Sequence, residues 1–179
     1  MLDDVDQAIE LKQQGKGRFC MGERGGDKPD AFDFGNSPAE IQDMDFTGET
    51  LIQTTSNGTR GLVAAESAQK LYAASFVNAR ETANQIRDDK DIVLVAMGEK
   101  ESRRCEEDEL CALYIRSLLW DITPDVSAIT AAVRTLSTRI DGRRISNQDV
   151  SDCLAVDSVP LAINVSRQEK FLVACPRSC

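Results

Sequence analysis

From Thr50 onward the chain alternates between β-branched and helix-forming runs, and this limits the fold more than any other feature. "TLIQTT" (50–55) is a β-branched run, "GLVAAESAQ" after Arg60 is alanine-rich and suits a helix, and "KLYAASFV" reads as a second strand. The unit then repeats. "NARETANQIRDD" is helical, "DIVLVAMG" is a nearly all-apolar strand of the kind buried on both faces of a parallel sheet, and "CEEDELCALYIRSLLW" returns to helix. After Pro124 come the helix "DVSAITAAVRTLSTRI", the short helix "SNQDVSDCLAV" and two closing strands, "VPLAINV" and "KFLVACP". The alternation predicts an α/β fold with three layers, α/β/α, around a central mostly parallel or mixed sheet.

The beginning is different. Residues 4–14 carry apolar positions at helical spacing, Gly15 and Gly17 break the pattern, and "RFCMG" is a short strand. Residues 23–48 are rich in Gly, Asp and Pro and have no sustained period, so they read as an irregular loop. Phe32, Phe34, Ile41 and Phe46 within it argue that the loop is ordered, since disordered segments are poor in aromatics. With 179 residues and no shift of composition, one domain over 1–179 is expected. "LDDVDQAIELKQQ" has neither a basic nor an apolar leader region, and no apolar run reaches membrane-spanning length, so a cytoplasmic protein without membrane contact is expected.

The chain has no histidine, which excludes a histidine phosphatase, a Ser-His-Asp triad and any imidazole base. Proton transfer then falls to carboxylates, thiols, lysines or a bound metal. The net charge of -9, with no long run of Lys or Arg, argues against nucleic acid as a partner. An anionic ligand would need a local positive pocket. The six cysteines form no C-x-x-C pair and read as free thiols.

"TTSNGTR" (54–60) lies where a strand ends and a helix begins, the place at which α/β sheets bind ligands and helix N–H groups suit anions. Gly58 lets backbone amides approach an oxyanion, Ser56 and Thr59 offer hydroxyls, and Arg60 can clamp two oxygens. A plain strand-to-helix turn accounts for the same residues, and the stretch is not a Walker loop. "EEDEL" (106–110) opens a helix, where acidic residues commonly complement the macrodipole. Yet Glu107, Leu110, Cys111, Tyr114 and Leu118 share one face, so Glu107 sits on the apolar side and, with Asp108, suits Mg²⁺. "DMDFT" (43–47) matches the aspartyl-phosphatase pattern D-x-D-x-T but lacks the buried strand before it, and Cys111 to Arg116 is one residue short of a C-x5-R loop.

Four stretches in order, "GERGG…FDFGNSP", "TTSNGTRGL", "SFVNARETA" and "EDELCA", together with "DVSDCLAVDSVP" near the end, resemble the 2-phosphosulfolactate phosphatase (ComB-like) family. The resemblance implies a Mg²⁺-dependent phosphatase that hydrolyses 2-phosphosulfolactate to sulfolactate and inorganic phosphate, a step toward coenzyme M. It implies Arg60 and Asp108 as catalytic residues and Glu107 with Asp108 as metal ligands. Asn57, Gly58, Thr59, Arg60, Asn36, Ser37, Arg24 and Arg80 would bind the small anionic phosphorylated substrate, and Glu23 would help order the loop. The attacking group, water or an aspartate, stays open, as does a homo-oligomeric state. Family members begin with a strand ending in an Asp-x-x-Arg-Ala-type motif that nothing here matches, and Leu113 stands where the family usually has glycine. The domain is therefore expected to be incomplete at its N-terminus. The alternatives are an inactive remnant that binds a phosphorylated ligand or partner, or a phosphatase for a related small phosphorylated acid.

Overall fold

The computed structural model describes residues 1–98, 103–137, 145–168 and 171–177. The chain gathers into two compact units, one of Met1–Leu71 with Val165–Ala174 and one of Tyr72–Asn164 with Cys175–Cys179. Helices and strands are mixed, as the alternation predicts. Strands β1 (Phe19–Gly22) and β2 (Leu51–Thr54) form a parallel pair, and β3 (Leu71–Ala73), β4 (Ala162–Gln168) and β5 (Phe171–Arg177) form a second sheet in that order. Only two residues join β4 to β5, which makes that pair antiparallel, since a parallel crossover needs a dozen or more.

In the first unit, helix α1 (Val5–Gln13) starts where the Asp4 carboxylate accepts the Gln7 N–H at 2.7 Å. Its Ala8 packs with Leu2, Cys20, Phe32 and Ile52, all buried, and Val5, Ile9 and Leu11 close around them. The parallel register pairs Phe19 with Leu51, Cys20 with Ile52 and Gly22 with Thr54, so Cys20 and Ile52 share the core face. The long loop is ordered, as its aromatics require. Phe32 is buried, Phe19, Phe34 and Phe46 form a ring cluster with centroids 5.5–5.8 Å apart, and Lys12 pairs with Asp33 at 2.6 Å. Partial burial pushes the Asp33 carboxyl up, but the Lys12 ammonium and the Cys20 N–H outweigh it and hold it below its usual value. The single-turn helix α2 (Pro38–Ile41) interrupts the loop, with Ser37 as its cap.

In the second unit, α4 (Ala79–Ile86) and α5 (Glu106–Leu119) pack through Ala79, Ala83, Tyr114, Ile115 and Leu118, joined by Phe76, Leu154 of α7 (Asn147–Cys153) at its cap, and Val133 of α6 (Val126–Ser137). Alanines four apart on one face let the helices approach closely. The strand expected over 70–77 stops at Ala73, because the Asn78 side chain accepts the Ser75 N–H and begins a 3₁₀ turn (Phe76–Asn78) leading into α4. The expected helix end at 138–140 lies outside the described residues.

The expected buried strand "DIVLVAMG" is the main correction. Residues 92–98 belong to no strand, and Val93 and Val95 are 84% and 67% exposed. An apolar run becomes a buried strand only when neighbours pair with it, and among the described residues none does.

On α4 the Thr82 hydroxyl is buried without a hydrogen-bond partner among the described residues. Thr82→Val should therefore raise stability by about 1 kcal/mol, since an unmade bond costs more than an absent group. A loss of stability in urea denaturation would show the hydroxyl to be engaged.

Candidate functional site

The two parallel strands end side by side, Gly22 against Thr54, and a polar loop leaves each of them. After β1 comes Glu23, whose carboxylate accepts the Ser56 N–H at 2.6 Å, the Ser56 hydroxyl at 2.8 Å and the Gly26 N–H at 2.7 Å. Gly25 in turn donates its N–H to the Ser56 oxygen at 2.8 Å. One carboxylate thus laces the "GERGG" loop to the start of the "TTSNGTR" turn. The Arg24 guanidinium donates to the Asp3 carbonyl at 2.5 Å, to the Thr54 hydroxyl and to the Glu23 carbonyl. It ties down the end of β2.

Helix α3 (Gly58–Ala64) begins with a reciprocal threonine pair. Thr59 donates its hydroxyl to the Thr55 carbonyl at 3.0 Å and accepts the Thr55 N–H at 2.8 Å, while the Thr59 N–H goes to the Thr55 hydroxyl at 3.0 Å. Both threonines are buried. The Ser56 and Thr59 hydroxyls thus act inside the turn. The groups without partners among the described residues are the Asn57 and Gly58 N–H and the Asn57 carboxamide, which makes no cap bond. Arg60, in the first turn of the helix, is exposed. A Cβ on Gly58 would meet the Thr55 hydroxyl at 3.4 Å, an ordinary contact.

Asn36 is exposed, and Ser37 accepts the Glu40 N–H at 3.3 Å as the cap of α2. Both follow Phe34, which bridges to Met21 of β1. In the first unit the structure therefore gathers Arg24, Ser56 and 57–60 at the ends of β1 and β2, with Glu23 as their organiser.

Arg80, Glu107 and Asp108 belong to the second unit. Arg80 is held by Asp157: its N–H and its Nε each donate to that carboxylate at 2.9 Å. Tyr114 donates to the same carboxylate at 2.7 Å, and its hydroxyl is pushed up to about 12 by burial and by that acceptor. Sequence reasoning missed this three-residue network. The only signal was Asp157 inside "DVSDCLAVDSVP", 77 residues from Arg80.

Helix α5 places four carboxylates, Glu106 to Glu109, in its first turn. Glu107 and Asp108 are half-buried, and Asp108 accepts the Gly98 N–H at 2.8 Å. Burial, with the neighbouring Glu107 charge, raises the Asp108 carboxyl above its usual value against the pull of that N–H. The Cys105 thiol, desolvated and hydrogen-bonded to Glu107, is pushed up to about 12. Two like charges in partial burial are relieved by a cation, so the pair fits an ion that takes one or two protein carboxylates and otherwise water. No group of three or more acidic, Cys or His side chains suited to a metal occurs among the described residues.

These features define a mixed α/β protein with a laced loop pair at the carboxyl edge of a parallel strand pair. Residues 1–163 match a family described as 2-phosphosulpholactate phosphatase. A relative from Thermoplasma acidophilum, a probable 2-phosphosulfolactate phosphatase, is 33% identical over 86% of this chain and 69% of its own length. One of the same description from Caldicellulosiruptor saccharolyticus is 35% identical over 70% of this chain and 54% of its own, and one from Carboxydothermus hydrogenoformans is 40% identical over 66% and 49%. The chain belongs to the 2-phosphosulpholactate phosphatase family, and its matches span from about half to just over two thirds of these relatives.

Proposed function

We propose that the chain carries the family's phosphatase site and hydrolyses 2-phosphosulfolactate to sulfolactate and inorganic phosphate with the help of Mg²⁺, as a cytoplasmic step toward coenzyme M. The observation that carries this reading is the turn at 55–60, whose hydroxyls face inward while the Asn57 and Gly58 N–H have no acceptor among the described residues. Such amides suit phosphoryl oxygens. Arg60, exposed in the first turn of the helix, supplies the planar donor that neutralises charge on a transferring phosphoryl group. Thr59 acts by fixing the turn through Thr55, and Arg24 by holding the end of β2. Asn36, with Ser37 beside it, is the further donor for the substrate's acid groups. Glu107 and Asp108 are the residues that would hold Mg²⁺, which when bound supplies positive charge to a phosphate ester. The finer fold proposed for the chain is a three-layer α/β/α arrangement of its helices and strands.

A second reading, ligand binding without turnover, is favoured by the unpaired apolar segment at 92–97. One experiment separates the two: phosphate release from 2-phosphosulfolactate by the purified chain, with Mg²⁺, with EDTA, and in Arg60→Ala. Release that EDTA abolishes and that falls about 100-fold in Arg60→Ala supports the enzyme. A folded chain that binds the ester by calorimetry yet releases no phosphate is the binding remnant, and one that neither binds nor releases sinks both.

A further inference from the structure

Asn57-Gly58 is the only Asn-Gly pair in the chain, and the two reactive groups it holds are both idle. The Asn57 carboxamide makes no cap bond, and neither it nor the Gly58 N–H has a partner among the described residues. Asn57 is half-buried and Gly58 exposed, so water reaches the pair. Glycine brings no side chain to crowd its own nitrogen. Asn57 has φ −121° and ψ −59°, and this ψ is turned past the helical value of about −42° toward the range in which the next nitrogen faces the side-chain carbon. The bond that holds the Asn57 peptide in place runs from the Gly61 N–H to the Asn57 carbonyl at 2.9 Å. It closes the first turn of a seven-residue helix, and helix ends open at small cost. The other asparagines lack this combination. Asn78 is 2% exposed with its side chain bonded to Ser75 and Ala73, Asn84 and Asn164 lie inside α4 and β4, and Asn36 and Asn147 precede residues whose side chains crowd the attack.

We propose that Asn57 is a self-modification site, at which the turn converts its own asparagine to an acid. The Gly58 nitrogen gives up its proton and bonds to the Asn57 Cγ, the Cγ–Nδ2 bond breaks, and the side-chain nitrogen leaves with that proton as ammonia. The five-membered imide then takes up one water. Opening at Cγ leaves aspartate, and opening at the backbone carbonyl leaves isoaspartate, with the chain rerouted through the side chain. Water is the only reagent. Either product sets a negative charge beside Gly58 in a chain already at -9, and isoaspartate also lengthens the backbone where α3 begins. The consequence for function rests on the reading of this turn as the oxyanion site, since a turn that carries its own carboxylate repels a phosphate ester.

The test holds the purified chain at neutral pH, both folded and in guanidinium chloride, and follows residue 57 by peptide mass and by an isoaspartate assay. Conversion raises the peptide mass by about 1 Da. The folded chain should convert Asn57 within about tenfold of the denatured rate, because the turn gives little protection, and ahead of Asn36. Gly58→Ala should slow conversion about tenfold or more by crowding the nitrogen. Its Cβ meets only the Thr55 hydroxyl at 3.4 Å, so the turn itself is kept. A slower rate than that in the folded chain, conversion of Asn36 first, or an unchanged rate in Gly58→Ala overturns the proposal. The aged chain is then set against the fresh one for binding of 2-phosphosulfolactate by calorimetry. Binding lost in step with the modified fraction supports the consequence, whereas a modified chain that binds as the fresh one does leaves the modification standing and sinks the reading of the turn. The mass readout needs no ligand, so it decides the modification even where the fresh chain binds nothing.

Discussion

The Gly22→Ala variant is expected to lose about 3 kcal/mol of stability or more, a large part of what a domain of this size has. Gly22 closes β1 at φ +132°, a backbone conformation that L side chains rarely adopt. A Cβ built there falls 1.8 Å from the Thr54 carbonyl oxygen, a backbone atom with no rotamer by which to move aside. That oxygen accepts the Glu23 N–H at 3.2 Å, and Gly22 itself donates to the Phe34 carbonyl at 3.1 Å. Relief of the clash would pull β1 from β2 at the very register point from which both loops of the candidate site depart. Gly15→Ala is the control. Gly15 also has positive φ, at +71°, but nothing lies within 4 Å of the added Cβ, so only about 1 kcal/mol of backbone strain is expected. Urea denaturation of both variants makes the comparison, and equal losses would show that the close approach of the strands is not what glycine serves.

What the sequence made legible was local. The face of α5 follows from spacing alone: Glu107, Leu110 and Cys111 are half-buried, and Tyr114 and Leu118 are buried. The strands β1 and β2 and the ordered loop between them follow from β-branched runs and aromatics, whereas the helix expected over 61–69 begins earlier, at Gly58 inside "TTSNGTR", and ends at Ala64. What was not legible depends on partners far along the chain. Arg24 and Arg80 look like anion clamps in a string of letters, yet Thr54 lies 30 residues from the first and Asp157 lies 77 from the second, and these hold them. The Ser56 and Thr59 hydroxyls looked available to a ligand until Glu23 and Thr55 were placed beside them. Residues 92–97 show the same limit at the level of the fold, since composition marks a strand but only a neighbour makes one.

The Glu23→Gln variant should lower kcat/KM for 2-phosphosulfolactate about 10- to 100-fold, or weaken binding of the ester comparably if turnover is absent, by loosening the turn that presents Asn57 and Gly58. Its carboxylate accepts three hydrogen bonds with two oxygens, and a glutamine has one oxygen and an amide that cannot accept. The cost in stability should be about 1 kcal/mol, at the low end for a charged acceptor because the residue is half-exposed. The pH dependence identifies the cause. Partial burial pushes Glu23 up, but the Ser56 N–H, the Gly26 N–H and the Ser56 hydroxyl outweigh it and hold the carboxyl below its usual value. A carboxyl depressed by folding contributes fully above its unfolded value, 4.5, and that contribution is lost as the pH falls through the lower folded value. The stability gap between the parent chain and Glu23→Gln should therefore be constant above about pH 5.5 and close in acid. A gap that stays the same from neutral pH to the acid limit of folding would mean that the side chain acts by shape alone, and that its charge does not lace the two loops.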